Sequence, residues 1–266
     1  MKVLVVGAGN MGKTYLRGFM ASRFIEPSNI YLLSRTEQSL NALPEVPIEN
    51  KHTQVGAYIS GVDIIILAVK PQDYPALADK LSQYVIPSQL VLSIMAGITI
   101  GELEKRMGTD KIVRAMPNLP SQTGMGMTVF TAAATLDRKD LFIIQNLINT
   151  TGKSVYVDNE SMIDAATAVS GSGPAYVYFF MQAMIDAAQQ MGFTQSQAEL
   201  LVNQTFLGAV LLQNQSNLTC NEWVEKVASK GGTTEAALSV MNKFNIKSGI
   251  EQALHAALQR SRELGR

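Results

Sequence analysis

Val3-Leu4-Val5-Val6-Gly7-Ala8-Gly9-Asn10-Met11-Gly12 decides the fold of the first half of this chain. Four apolar, mostly β-branched residues stop at Gly7, and glycines follow in the spacing G-x-G-x-x-G at Gly7, Gly9 and Gly12. The stretch predicts a strand, a tight turn and a helix start. Gly7 permits the turn, Gly9 lets the backbone approach a pyrophosphate, and Gly12 lets the helix pack on the strand. The unpaired N–H groups and positive dipole end of that helix suit phosphates. The motif is weak alone and also fits tight packing without a ligand. Its surroundings strengthen it: an amphipathic segment follows (Thr14, Leu16, Phe19, Met20), then a second strand-like run at Ile30–Leu33. The expectation is a dinucleotide-binding βαβ unit.

Further strand-like runs fall at Asp63–Val69, Leu90–Ile94, Lys111–Met116, Met127–Phe130 and Ser154–Val157. The early ones are continuously apolar, as in parallel strands covered on both faces. Helical segments such as Pro75–Gln83 and Ile100–Met107 fit between them, which predicts a doubly wound α/β sheet. The character changes near Asn159. Beyond it no convincing strand is found, and helical stretches follow at Met162–Val169, Ala175–Met191, Gln195–Leu212, Asn221–Ala228, Thr234–Phe244 and Lys247–Leu264. Gly192 reads as the C′ stop of one helix. The predicted division is a Rossmann-type domain over 1–158 and an all-α domain over 159–266.

The 266 residues are 47% hydrophobic, enough for a substantial core. Lys plus Arg and Asp plus Glu are 22 each, so no charge imbalance points to nucleic acid or a membrane surface. The single cysteine, Cys220, fits a reducing compartment. Runs such as Ile64–Val69 are too short to span a bilayer, and the N-terminus enters a strand at once without a cleavable signal pattern. A cytoplasmic protein is expected.

An Asp or Glu that binds the ribose hydroxyls of NAD usually ends the second strand. Here the strand runs into Ser34-Arg35-Thr36 instead. Two hydroxyls and a guanidinium suit a 2′-phosphate, so NADPH is expected over NADH, although a solvated surface Arg has the same sequence. Three later segments close strands with small residues and Pro: Ala68–Pro71, Met95–Ile98 and Met116–Asn118. They should line the crevice at the carboxyl ends of the strands, or be ordinary turns. Ser170-Gly171-Ser172-Gly173-Pro174 interrupts a helical region, which permits close backbone or ligand approach, or a simple kink. Ser229-Lys230-Gly231-Gly232-Thr233-Thr234 precedes another helix and reads as a carboxylate-binding loop, or as a helix start capped by Thr233 or Ser229.

Taken in order, Gly7–Gly12, Ser34–Thr36, Ala68–Gln72, Ser93–Ile98, Arg114–Asn118, the run Asp164 to Tyr176 and Ser229–Leu238 resemble the pyrroline-5-carboxylate reductases. The resemblance implies an N-terminal Rossmann domain, a C-terminal helical dimerisation domain, and reduction of 1-pyrroline-5-carboxylate to proline with NADPH, NADH being possible. It implies a homodimer that builds into a larger ring such as a decamer, and a loop of one chain completing its partner's site. It places Gly7, Gly9, Asn10, Met11 and Gly12 on the phosphates, Ser34, Arg35 and Thr36 on the 2′-phosphate, and Asn50 near the adenine. Ala68, Val69, Lys70, Pro71, Ala96, Gly97 and Asn118 line the rest of the cofactor site. Ser229, Gly231, Gly232, Thr233 and Thr234 hold the imino acid, with Thr234 on the ring nitrogen as the catalytic candidate. Lys230 departs from the family pattern, where Pro is common.

Chemistry agrees with this reading. A cyclic imine is basic enough to arrive protonated, so its reduction needs positioning more than a strong acid. The two histidines, His52 and His255, sit in no motif, and no metal-ligating cluster is visible. Lys70 is an alternative acid, though a structural Lys has the same sequence. Two other readings remain: a two-domain β-hydroxyacid-type dehydrogenase, for which no helical-domain Lys can be placed beside Ser170–Pro174, and a non-catalytic NADPH-binding regulator, which has no use for the loop at Ser229–Thr234.

Overall fold

The computed structural model describes residues 1–264. These form two compact units: Met1–Pro174 with the C-terminal segment from Ala257, and Ala175–Ala256.

The first unit is built on one eight-stranded sheet. Its strands are β1 (Val3–Val6), β2 (Ile30–Leu33), β3 (Lys51–His52), β4 (Ile64–Leu67), β5 (Leu90–Ser93), β6 (Ile112–Met116), β7 (Gly126–Ala132) and β8 (Gly152–Tyr156). Their order is β3-β2-β1-β4-β5-β6-β7-β8. The six strands from β3 to β6 are mutually parallel, in register Val3↔Ile30 and Val3↔Ile64 around β1. β7 runs antiparallel to β6, and β8 is parallel to β7. The sequence missed β3, only two residues long, and gave no sign of the reversal at β7.

Alternate residues of the central strands feed two cores. Val3, Val5, Ile64 and Ile66 pack with Tyr15, Leu16 and Phe19 of α1 (Asn10–Ala21). Leu4, Val6, Ile65 and Leu67 pack with Tyr74, Ala78 and Leu81 on the other face. The helices are α2 (Glu37–Asn41), α3 (Tyr74–Leu81), α4 (Ile100–Met107), α5 (Arg138–Asn149) and α6 (Ser161–Ala166). Thr99 caps α4 by accepting from Glu102 N–H, and Gly108 ends it in the left-handed region, φ 71°. After α6 the chain widens into a π-helical turn, Thr167–Gly171, so the break expected at Ser170–Pro174 starts earlier, and Gly173 and Pro174 already open the next helix.

The helices that follow are α7 (Gly173–Gln190), α8 (Gln195–Asn214), α9 (Cys220–Val227), α10 (Thr233–Lys243) and α11 (Ile246–Leu264). No strand lies after Asn159 among the described residues. Gly192 follows α7 with φ 103°, and Phe193 N–H returns to Ala188 O, the geometry expected of a C′ glycine. Ala198 and Val202 are the only fully buried apolar residues of Ala175–Ala256 among those described. Val177, Tyr178, Phe179, Phe180 and Met184 of α7 are exposed in the single chain. No described helix is long and apolar enough to cross a membrane.

Candidate functional site

β1 and β4 are neighbours, yet β2 and β5 leave them in opposite directions, so the sheet order reverses here. Ligands of such sheets bind outside the carboxyl ends at this point. The glycine turn lies there. Gly7 N–H donates to Leu33 O at 2.8 Å and Ala68 N–H to Val6 O at 2.8 Å, which ties the ends of β1, β2 and β4 together.

The three glycines have different reasons. Gly7 has φ 106°, and a Cβ there would lie 2.7 Å from Ala68 O. A Cβ on Gly12 would collide with Gly7 O. Both are demanded by the turn and by helix packing. A Cβ on Gly9 would meet nothing within 4 Å. The protein leaves that side open. Gly9 is also the N-cap of α1, with no side-chain cap, and no acidic residue stands in the first turn. The first helical bond runs from Lys13 N–H to Gly9 O at 3.0 Å, so the amides of Asn10, Met11 and Gly12 precede the ladder. An open cradle over uncapped amides at a positive helix end fits a pyrophosphate.

Ser34, Arg35 and Thr36 follow β2. Ser34 N–H is held by His52 O at 3.1 Å, and Thr36 Oγ1 caps α2 by accepting from Ser39 N–H at 3.4 Å. The Arg35 guanidinium extends toward Asp73, Nη2 to Oδ2 3.4 Å. Asn50 is buried, and its Nδ2 donates to Ser28 O at 2.9 Å. Val69, Lys70 and Pro71 lead from β4 into a 3-10 turn at Pro71–Asp73. Ala96 and Gly97 follow β5, Gly97 with φ 79°. Asn118 follows β6; its Nδ2 donates to Ser170 O at 3.1 Å and its Oδ1 accepts from Met127 N–H at 2.9 Å. The parallel strands β1, β2, β4, β5 and β6 therefore bring Gly7–Gly12, Ser34–Thr36, Ala68–Pro71, Ala96–Gly97 and Asn118 to the carboxyl edge of the sheet, whereas Asn50 precedes β3 and is bonded to Ser28 ahead of β2, toward the amino ends of the strands.

Ser229–Thr234 lies in the second unit. α10 starts at Thr233 with Gly232 as its N-cap, and no side-chain oxygen caps it. The capped reading, with Thr233 or Ser229 in that role, is not what the loop adopts. Gly231 takes φ 74°. Gly232 N–H returns to Ser229 O at 3.0 Å, and Gly231 N–H donates to Glu235 Oε2 at 2.6 Å. The first helical bond, Ala236 N–H to Gly232 O, leaves the amides of Thr233 and Thr234 outside the ladder.

Sequence reasoning missed five residues. Asp73 and Glu235 are ordinary charges until their partners are known. Arg114 did carry a signal: a lone charge inside the apolar run Ile112–Met116, which needs partners once buried. Glu160 and Asp164, one helical turn apart, supply them, at 2.9 Å and 3.1 Å.

An open glycine turn at the reversal of a parallel sheet defines a dinucleotide-binding protein of the Rossmann class. A family model described as NADP oxidoreductase, coenzyme F420-dependent, matches residues 2–97, and that of pyrroline-5-carboxylate reductase dimerisation matches residues 160–264. The pyrroline-5-carboxylate reductase of Pseudomonas aeruginosa is 35% identical over 264 residues, 99% of this chain and 96% of that protein. The solved pyrroline-5-carboxylate reductase of Coxiella burnetii superposes with a TM-score of 0.91 at 32% identity, covering 100% of this chain and 98% of the other. The Plasmodium falciparum pyrroline carboxylate reductase, solved with NADP bound, gives 0.88 at 28% identity, covering 100% and 98%. The chain belongs to the pyrroline-5-carboxylate reductase family. It is an NAD(P)H-dependent oxidoreductase with a helical dimerisation segment.

Proposed function

We propose that this chain reduces 1-pyrroline-5-carboxylate to proline, with NADPH preferred. The observation that carries the reading is a second uncapped helix start, that of α10, with Thr233 and Thr234 at its first two positions. A dinucleotide-binding regulator has no need of it.

In this reading Gly9, Asn10, Met11 and Gly12 bind the pyrophosphate, and Ser34, Arg35 and Thr36 the 2′-phosphate. Asn50, expected near the adenine, precedes β3 and spends its Nδ2 on Ser28 O toward the amino ends of the strands, so it stands outside the proposed cofactor site. Ala68–Pro71, Ala96–Gly97 and Asn118 line the remaining length. Bound NADPH supplies a hydride. Ser229 and the Thr233 amide hold the substrate carboxylate, Gly231 and Gly232, whose N–H groups are spent on Glu235 and Ser229, shape the loop around it, and the Thr234 hydroxyl orients the ring nitrogen. The imine arrives protonated, so binding geometry is the main catalytic contribution. The functional division we propose is 1–158 for the dinucleotide and 159–266 for the imino acid and assembly. The chain acts in the cytoplasm as a homodimer, with a decamer as the larger assembly.

The test follows reduced-nicotinamide absorbance with purified protein, pyrroline-5-carboxylate and NADPH, with a β-hydroxyacid and NADP as the contrasting pair. Turnover of the imine with proline as product supports the reading. Turnover of the hydroxyacid alone, or cofactor binding without turnover of either, overturns it.

A further inference from the structure

We propose that Asn118 and Arg114 form a clamp that fixes the π-helical turn Thr167–Gly171, and that this turn positions the reacting groups for hydride transfer; the second part rests on the function proposed above.

The turn is unusual backbone. Ser172 N–H reaches five residues back to Thr167 O at 2.8 Å. Such single π turns are rare and cluster at functional sites. This one borders the edge of the sheet that carries the cofactor-lining segments. A Cβ on Gly171 would lie 2.9 Å from Cε of Met116, the last residue of β6. The turn packs directly on the end of the Met116 side chain.

Two side chains tether it. The Asn118 amide spends both ends on the protein: Nδ2 on Ser170 O within the turn, and Oδ1 on Met127 N–H at the start of β7. Asn118 thus acts through the turn, as a positioning residue. Arg114 holds the preceding helix. Its side chain is 4% exposed, with Nη1 on Glu160 Oε1 and Nη2 on Asp164 Oδ1. Glu160 Oε1 also accepts from Ile100 N–H at 2.8 Å, at the start of α4 beyond Ala96–Gly97. Asp164 Oδ1 in turn meets Ser261 Oγ at 3.3 Å. The helix entering the π turn is therefore fixed to β6, to α4 and to the last turns of α11.

Stability alone is a poor reason for this arrangement. Burying an ion pair costs desolvation that its Coulomb attraction seldom exceeds, and an apolar pair of similar size does as well. Arg114 Nε is moreover buried without a partner. What such a cluster supplies is a fixed geometry, and a displacement of reacting groups by an ångström is costly to rate.

The test uses the full chain with Asn118→Asp, which keeps the acceptor for Met127 N–H but replaces the donor to Ser170 O. Asn118→Ser and Arg114→Lys serve as second variants should Asn118→Asp not fold. Four quantities are read: hydrogen exchange of the 167–173 amides, the NADPH dissociation constant by fluorescence, kcat against KM for pyrroline-5-carboxylate, and the isotope effect with 4-deuterated NADPH. We expect amide exchange in the turn to quicken about tenfold. kcat should fall about tenfold or more and the isotope effect should rise in both Asn118→Asp and Arg114→Lys, and in Arg114→Lys, which lies outside the cofactor-lining residues, NADPH affinity should stay within about twofold. Unchanged exchange overturns the clamp, whatever happens to thermal stability. Faster exchange with unchanged kcat and isotope effect overturns the positioning role. A wild-type chain inactive on the imine overturns the proposed function, and the exchange data still decide the clamp.

Discussion

Arg35 Nη2 lies 3.4 Å from Asp73 Oδ2, joining the loop after β2 to the 3-10 turn after β4 across the place where the sheet order reverses. Arg35 is 81% exposed and Asp73 34%, so the pair contributes about 0–1 kcal/mol to the fold. It is inexpensive to break, and a dianionic 2′-phosphate makes the stronger partner. Arg35→Asp removes the attraction and adds repulsion. Titration should show NADPH weakened about a hundredfold and NADH only a few-fold. Asp73→Asn removes a competitor for the guanidinium and should leave NADPH binding equal or tighter. Equal losses of both cofactors in Arg35→Asp would exclude a 2′-phosphate role.

The glycines of the turn separate folding from binding. Gly9→Ala adds a methyl group that meets no protein atom, so thermal stability should change by less than about 0.5 kcal/mol. The same methyl intrudes where the pyrophosphate would lie, and NADPH affinity should drop about tenfold or more. Gly12→Ala drives a methyl group into Gly7 O and should destabilise the fold by about 1–3 kcal/mol. Normal NADPH binding by Gly9→Ala would show that the open space serves something else.

Much of this was legible in the sequence because it is local. The apolar runs gave β1, β2 and α4 with their ends, and the glycine spacing gave the turn. Gly192 and the helices beyond Asn159 followed from periodicity. What stayed hidden depends on contacts distant in the chain. β3 is two residues of ordinary composition, strand-like only because Leu32 and Leu33 lie beside it. The reversal at β7 is a property of the route the chain takes, which residue pattern does not record. The π turn is held by Asn118, far from it in the chain, and Arg35–Asp73 needed β2 and β4 to be placed first.

Thr234→Val keeps the shape of the side chain and deletes its hydroxyl. The amides of Thr233 and Thr234 remain outside the helical ladder, so carboxylate binding should survive largely intact. kcat should fall about tenfold to a hundredfold, with the NADPH dissociation constant unchanged. Steady-state kinetics and a fluorescence titration on the same preparation check both halves. A wild-type rate would remove Thr234 from the mechanism.

His52 should make the fold sensitive to acid. Its ring stacks on Tyr58 at 3.6 Å between centroids, with Tyr31 beyond at 6.4 Å, and its Nε2 is buried without a partner. Lys2 Nζ lies over the Tyr31 ring at 5.9 Å and adds a positive neighbour to the stack. Burial lowers the His52 pKa below 6.5. The unfolded chain therefore takes up the proton first as pH falls. Stability from this residue is complete above the unfolded pKa and declines as pH drops toward the folded one. Melting curves between about pH 7.5 and 5.5 should show a steeper loss for the wild type than for His52→Phe, which keeps the stack without a titrating nitrogen. Parallel curves would assign the acid sensitivity elsewhere.

Assembly follows from what the helical segment leaves uncovered. Phe179 is 72% exposed in the single chain, and Tyr178, Leu200, Leu207 and Val210 are exposed as well. With Ala198 and Val202 the only fully buried apolar residues described in Ala175–Ala256, this segment has almost no core of its own. A helix apolar nearly all round needs cover on every side. The match of residues 160–264 to the dimerisation family identifies the cover as another copy of the chain. The interface should then be large and obligate, with loss of assembly and loss of folding inseparable. Phe179→Glu places a charge in that interface. Sedimentation should find the wild type as a dimer or larger at every concentration at which it is active. Phe179→Glu should shift to smaller species with a lower melting temperature and little turnover. A stable, fully active wild-type monomer would show that the apolar surface of α7 and α8 is covered in some other way.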